Sequence, residues 1–162
     1  MDWNKLVAKE SEKLLNYINK IVGDIDNSRD IVQDVFLACF ENIDRIDENY
    51  ILAWMYRTAH NKAINFVKKQ KRYILCVPPE QMHVEDFEEE KRKQRQAQFI
   101  KECFQRLKPR HSMVLELQYY QKRSYKEIAE ITGMSMGAVE SILVRAKREC
   151  KKIMESMNMG NG

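Results

Sequence analysis

Glycine and proline are scarce in this chain, with five and three among 162 residues. Runs of strictly alternating apolar and polar residues are absent, which excludes sheet architectures and leaves an all-α protein as the economical expectation. No stretch approaches the roughly 20 consecutive apolar residues of a membrane-spanning helix. The start, MDWNKLVAKESEK, is charged where a secretory leader would be apolar, so a cytoplasmic protein with no membrane insertion of its own is expected. Cys39, Cys76, Cys103 and Cys150 fall in no CxxC or CxxH spacing, and His60, His83 and His111 are equally scattered. Zinc ligation and a disulfide framework therefore lack support, and reduced thiols on apolar helix faces are expected. A phosphate loop, a nucleophile elbow and paired carboxylates are also missing. No catalytic residue, metal or cofactor is expected, and an enzyme is the least favoured class.

What is abundant is charge, at 32% of residues with a net of only +4, and it is unevenly placed. The segment Ser124 to Cys150 reads as two helices joined by a tight turn. Ile128, Ala129 and Ile131 form the apolar face of the first. Gly133 stands where the turn needs positive φ, and Ser135 suits the N-cap of the second. Val139, Ile142, Leu143 and Ala146 then recur at helical spacing, which is the helix-turn-helix pattern. The outward face carries Ser141, Arg145, Lys147 and Arg148, donors suited to phosphates and base edges. A helical hairpin with a solvated basic face is the alternative for this segment.

Upstream, a first helix is expected from Trp3 to Val22, ended by Gly23. The run Asp24 to Ser28 offers several N-caps for a second, which buries Ile31, Val35, Ala38 and Cys39. Phe36 and Phe40 lie on a side that the core stripe leaves unclaimed, where an aromatic serves as core rim or interface anchor. A third helix, from about Tyr50 to Tyr73, turns basic after Tyr56: Arg57, Lys62, Lys68, Lys69, Lys71 and Arg72 appear with no acid before Glu80. His60, Asn61 and Asn65 stand among them. Such a face fits nucleic acid, or else is a solvated basic face whose last lysines complement the helix dipole. Pro78-Pro79 and the acidic cluster Glu85 to Glu90 break the pattern. The expected division is a domain over 1–75, an acidic flexible linker over 76–92 and a second domain over 93–162. In the second domain a helix around Lys91 to Leu107 is followed by another, RHSMVLELQYYQ, and Ser124 with Glu127 makes a capping box.

Four segments together resemble the extracytoplasmic-function (ECF) sigma factors, the minimal two-domain group of the bacterial sigma-70 family. They are SRDIVQDVFLACFENI, AWMYRTAHNKAINFVKKQKR, LKPRHSMVLELQYYQKRSYKEIAEITGMS and MGAVESILVRAKREC, in the family's order over about residues 5–155. The resemblance implies a sigma region 2-like domain and a region 4-like helix-turn-helix domain in a transcription initiation factor. Its implied partners are core RNA polymerase, promoter DNA and an anti-sigma factor. Asp30, Gln33, Asp34, Phe36 and Leu37 fall on the family's polymerase-contact motif. Arg57, His60, Asn61, Asn65, Lys68, Lys69, Lys71 and Arg72 fall on its minus-ten reader. Asp47 to Tyr50 lie where members hold a flipped base, and the acidic linker matches a segment that threads the polymerase's basic channels. Ser135, Met136, Ala138, Glu140, Ser141, Arg145 and Arg148 fall on its minus-thirty-five reader. Glu140 departs from the family pattern, since many members place a basic residue there, and Ile142 departs likewise unless it packs inward. A carboxylate is repelled by phosphates but accepts from cytosine's amino group. The competing readings are a free-standing helix-turn-helix regulator on an operator, and a sigma mimic that sequesters polymerase.

Overall fold

Local signals set most helix ends. The computed structural model describes residues 1–74 and 88–159, and regular structure among these is helical throughout. Helix α1 (Trp3–Val22) starts where the Asp2 carboxylate accepts from the Lys5 amide and stops at Gly23, whose φ of 77° is left-handed. Helix α2 (Ile25–Glu41) is capped by Asp24, the first candidate of its run, so it begins ahead of Arg29. Two single 3-10 turns, Ile43–Arg45 and Glu48–Tyr50, lead into α3 (Ile51–Ile74).

Helix α4 (Glu88–Arg106) begins inside the expected acidic linker. Glu88, Glu89 and Glu90 occupy its first turn, where carboxylates are favoured by the positive end of the helix dipole. Residues 88–92 are thus helical, while Pro78-Pro79 and the rest of that linker lie outside the described residues. Pro109 opens α5 (Pro109–Leu115), which widens into a π turn, Glu116–Tyr120, closed by the Gln121 amide on the Glu116 carbonyl at 3.1 Å. The continuous helix expected there is therefore interrupted. Helix α6 (Tyr125–Thr132) has the expected Ser124–Glu127 capping box and ends at Gly133 with φ 72°. The Ser135 hydroxyl accepts from the Ala138 amide at the start of α7 (Met136–Met159).

Helices α1, α2 and α3 pack around Leu14, Ile18, Ile21, Val35, Met55 and Ala59, each fully buried. Helices α4 to α7 close around Phe104, Leu107, Val114, Leu117, Ile128 and Leu143. Burial of each large aliphatic side chain stabilises by about 1.5–3 kcal/mol relative to exposure. The halves are not separate beads: α1 packs on α4, and α3 packs on α5 and α6. The seam is aromatic at its centre, where the Tyr17 ring lies 5.3 Å from that of Tyr56 and 6.1 Å from that of Phe104.

Candidate functional site

Three surfaces carry the candidate residues, one on each of α2, α3 and α7. On α2, Asp30, Gln33, Asp34 and Leu37 are exposed along one side, Leu37 at 57%. Phe36 is not among them. It is 8% exposed, with its ring edge-on to Trp3 at 6.1 Å, so it belongs to the core. The exposed aromatic is Phe40, at 59%, also against Trp3 at 5.5 Å. Its spacing of three from Leu37 and four from Phe36 was the available signal, since those offsets share a helix face. An acidic rim around two exposed apolar side chains suits a basic partner with an apolar groove.

On α3, Arg57, Asn61, Asn65, Lys68, Lys69, Lys71 and Arg72 are all exposed. Residues 57, 61, 65, 68 and 72 recur every three or four positions, which places them on one stripe down the helix. His60 is withdrawn from it. It is 3% exposed, and its Nδ1 lies 3.2 Å from the Tyr17 hydroxyl, which is also 2.7 Å from the Ser112 hydroxyl in α5. Burial lowers the imidazole to about 4, so His60 is neutral at pH 7 and contributes no positive charge to the stripe. As a DNA contact in this conformation it is corrected: the ring is buried against Tyr17 of α1.

The turn before α3 packs on α6, although Asp47 to Tyr50 remain exposed. Tyr50 rests on the helix-turn-helix turn, its ring so close that a Cβ at Gly133 would lie 2.9 Å from the ring's Cε1. Together with the left-handed φ, this close approach makes glycine the fitting residue there. A pocket of about 460 Å³ lies beside it, lined by Asp47, Tyr50, Trp54, Arg57, Lys108 and Met134 among others.

On α7, Val139, Ile142, Leu143 and Ala146 are buried as the helix-turn-helix pattern requires. Ile142 therefore packs inward. Ser135, Met136, Glu140, Ser141, Arg145 and Arg148 are exposed and Ala138 partly so. Glu140 faces solvent on the recognition face, between Met136 at 53% and Val144 at 51% exposure. Val144 is an exposed apolar residue that the charge pattern did not single out.

A basic, amide-bearing helix and a helix-turn-helix reader in one chain raise the question of what uses both. Residues 6–73 match the family model described as Sigma-70 region 2, and residues 100–150 match that described as Sigma-70, region 4. The chain belongs to the sigma-70 family, in its ECF group. It is 30% identical over 146 residues to RNA polymerase sigma factor SigZ of Bacillus subtilis, covering 89% of this chain and 82% of the relative. It is 28% identical over 149 residues to RNA polymerase sigma factor YlaC of the same organism, covering 88% and 86%. The ECF RNA polymerase sigma-E factor of Escherichia coli is 26% identical over 165 residues, covering 90% and 82%.

Two solved structures share the fold. CnrH, in complex with the cytosolic domain of CnrY, superposes with a TM-score of 0.58 at 19% identity, over 95% of this chain and 88% of that one. RpoE from Bartonella quintana, in complex with the anti-sigma factor NepR, gives 0.53 at 18% identity, over 95% and 97%. This sigma factor is accordingly a transcription initiation factor that binds core RNA polymerase and directs it to promoters. The free-standing regulator is not favoured, because it leaves the region 2 match without a use. Among the described residues, no helix is long and apolar enough to cross a membrane.

Proposed function

We propose that this sigma factor divides its work among the three surfaces. The α2 face, with Asp30, Gln33, Asp34 and Leu37 and with Phe40 added, docks on core polymerase. The α3 stripe from Arg57 to Arg72 captures the minus-ten region, where the energy of unstacking bases is offset by phosphate and pocket contacts. The α7 face from Ser135 to Arg148 reads the minus-thirty-five element. The single observation that carries this reading is the α3 stripe, five positions in helical register and all exposed, in a chain that also presents an exposed recognition helix.

A physical consequence follows from size. The two promoter elements stand about 25 base pairs apart, which is roughly 85 Å of duplex. A folded chain of this length has a radius of gyration of about 15 Å. The packed arrangement of α1 on α4 and α3 on α5 cannot reach both elements, so the two halves part when promoter is engaged on polymerase. The seam then opposes promoter binding, and a partner that favours the packed form would hold the factor inactive. An anti-sigma factor is the expected partner of that kind, as the complexes of CnrH and RpoE suggest by likeness of fold. The factor acts by binding and not by catalysis, in the cytoplasm where polymerase is.

Run-off transcription with purified core polymerase on genomic fragments tests this reading. Promoter-dependent transcripts that require the full chain are expected. Failure to form a stable complex with core would sink it, and core binding without any promoter-dependent transcript would favour a polymerase-sequestering mimic.

A further inference from the structure

The pocket of about 460 Å³, where the turn before α3 meets the start of α5 and the end of α6, carries chemistry that the three working surfaces leave unused. Its volume lies in the range of small-molecule sites, roughly 300–1,000 Å³, and such sites favour the junction of two packed units. Four cationic side chains line it, drawn from separate stretches of the chain. Arg45 ends the first 3-10 turn, Arg57 stands in α3, Lys108 immediately precedes α5 and Arg110 lies in its first turn. Among the described residues none of the four is ion-paired. Asp47 is the one carboxylate among the described lining residues, and its own turn occupies it. It accepts from the Asn49 amide at 3.0 Å and from the Asn49 side chain at 3.1 Å. Two aromatic side chains, Tyr50 and Trp54, line the same space, and Tyr50 is 42% exposed. Unpaired cations gathered around one space repel each other until an anion joins them. Aromatic rings beside them add faces on which a planar base can stack.

We propose that this pocket binds a nucleoside triphosphate, with the phosphates on the four cations and the base against Tyr50 and Trp54. Guanidinium groups meet phosphate oxygens through paired N–H donors, and Lys108 adds a flexible point charge. Four cations less the Asp47 carboxylate leave three positive charges, which suits a triphosphate better than a monophosphate. Stacking tolerates any base, so the site takes the nucleotide and not one base in particular. A promoter strand is the poorer occupant. Arg45 and Arg57 belong to one half, Lys108 and Arg110 to the other, so the pocket is complete only while α3 packs on α5 and α6. A ligand that binds the packed form and not the parted one stabilises the packed form. If the halves part on promoter as proposed above, the nucleotide holds the factor off DNA; that consequence rests on the earlier reading, whereas the binding does not.

The test is calorimetric titration of the full chain with ATP in magnesium-free buffer at about 0.15 M salt, where long-range attraction between charges is largely screened. One ATP per chain is expected, with adenosine and inorganic triphosphate each at least about 10-fold weaker, because each engages only part of the site. Arg45→Ala with Arg110→Ala removes one exposed cation from each half and is expected to weaken ATP at least about 10-fold. Lys68→Ala with Lys69→Ala removes two cations of α3 that do not line the pocket, and affinity should stay within about two-fold. The thermal midpoint of the wild-type chain should rise with ATP concentration, and that of the variant lacking Arg45 and Arg110 should not. No binding at about 1 mM ATP, inorganic triphosphate bound as tightly as ATP, or an equal loss in the Lys68 and Lys69 variant would each overturn the proposal. The comparison of ATP with its two parts needs only the wild-type chain and decides even where a variant folds poorly. These readouts involve neither promoter nor polymerase, so their failure is distinct from failure of the transcription test.

Discussion

The Tyr17 hydroxyl in α1 lies 2.7 Å from the Ser112 hydroxyl in α5, so one buried hydrogen bond joins the two halves of the factor. Both side chains are fully buried, and His60 in α3 completes the triad at 3.2 Å from the same hydroxyl. Water cannot replace a partner removed there. Tyr17→Phe keeps the ring between Tyr56 and Phe104 but leaves Ser112 and His60 without it, at a cost of about 1–3 kcal/mol. For a chain of this size the thermal midpoint is expected to fall by about 3–10 °C, while affinity for core polymerase is retained or rises as the seam loosens. Calorimetry and core-binding titration read the two effects. A midpoint equal to wild type would show that this bond does not stabilise the packed form.

His60 makes the same seam sensitive to acid. Its folded-state value of about 4 lies below the ordinary 6.5, so burial favours the neutral ring. The contribution is therefore fully present above pH 6.5 and is lost as pH falls toward 4, by up to about 3 kcal/mol. Glu116 works in the opposite sense. Burial raises its carboxyl against the pull of Lys20, 3.0 Å away, so its contribution is present below about 4.5 and fades as pH rises. Comparison of wild type with His60→Gln isolates the histidine. Urea unfolding at pH 7 and pH 5 should show a loss of stability in wild type that is markedly smaller in the variant. Equal pH dependence in both would remove His60 from the account.

The reach of sequence reasoning here follows from what is local. Gly23, the Ser124–Glu127 box, Gly133 and the Ser135 cap act within a few residues of their own position, and each was legible. The inward stripe of α7 was legible for the same reason, because helical periodicity is written within one helix. The seam was not. His60 read as a DNA-facing residue, since nothing near it in sequence reveals that it is buried at Tyr17, whose hydroxyl meets Ser112 of the other half. The buried carboxylates Glu10, 1% exposed with Lys13 at 4.0 Å, and Glu116, with Lys20 at 3.0 Å, were not singled out in the sequence. Phe36 was misplaced more narrowly: it lies at the border of the buried stripe, and Trp3, distant in sequence, decides that it is covered. The π turn at Glu116–Tyr120 left no mark in the helical pattern.

Glu140 is exposed on the recognition face, which turns its departure from the family pattern into a measurable quantity. Glu140→Lys replaces a charge that phosphates repel with one that they attract. Promoter binding by the polymerase holoenzyme should persist to higher salt, and the log–log salt slope should steepen by about one. Discrimination at the contacted base pair should shift too, since a carboxylate accepts from cytosine and an ammonium prefers guanine. If neither the slope nor the preferred sequence moves, Glu140 does not face DNA.

The α2 surface offers a test that separates docking from packing. Leu37 and Phe40 are more than half exposed, so Leu37→Ala with Phe40→Ala removes little of the core. The helix should keep its fold, giving up only the edge-on packing of the Phe40 ring against Trp3. If the pair anchors the factor to polymerase, truncating both should weaken core binding about 10- to 100-fold, as expected for central apolar anchors. Phe36→Ala behaves differently because the side chain is buried: it should lower stability by about 3–5 kcal/mol and affect polymerase binding only through the unfolded fraction. Equilibrium titration of each variant with core, paired with its thermal midpoint, distinguishes the two. An unchanged affinity in the stable double variant would refute α2 as the docking face, and a weakened one with an unchanged midpoint would place the anchor on Leu37 and Phe40 instead of Phe36.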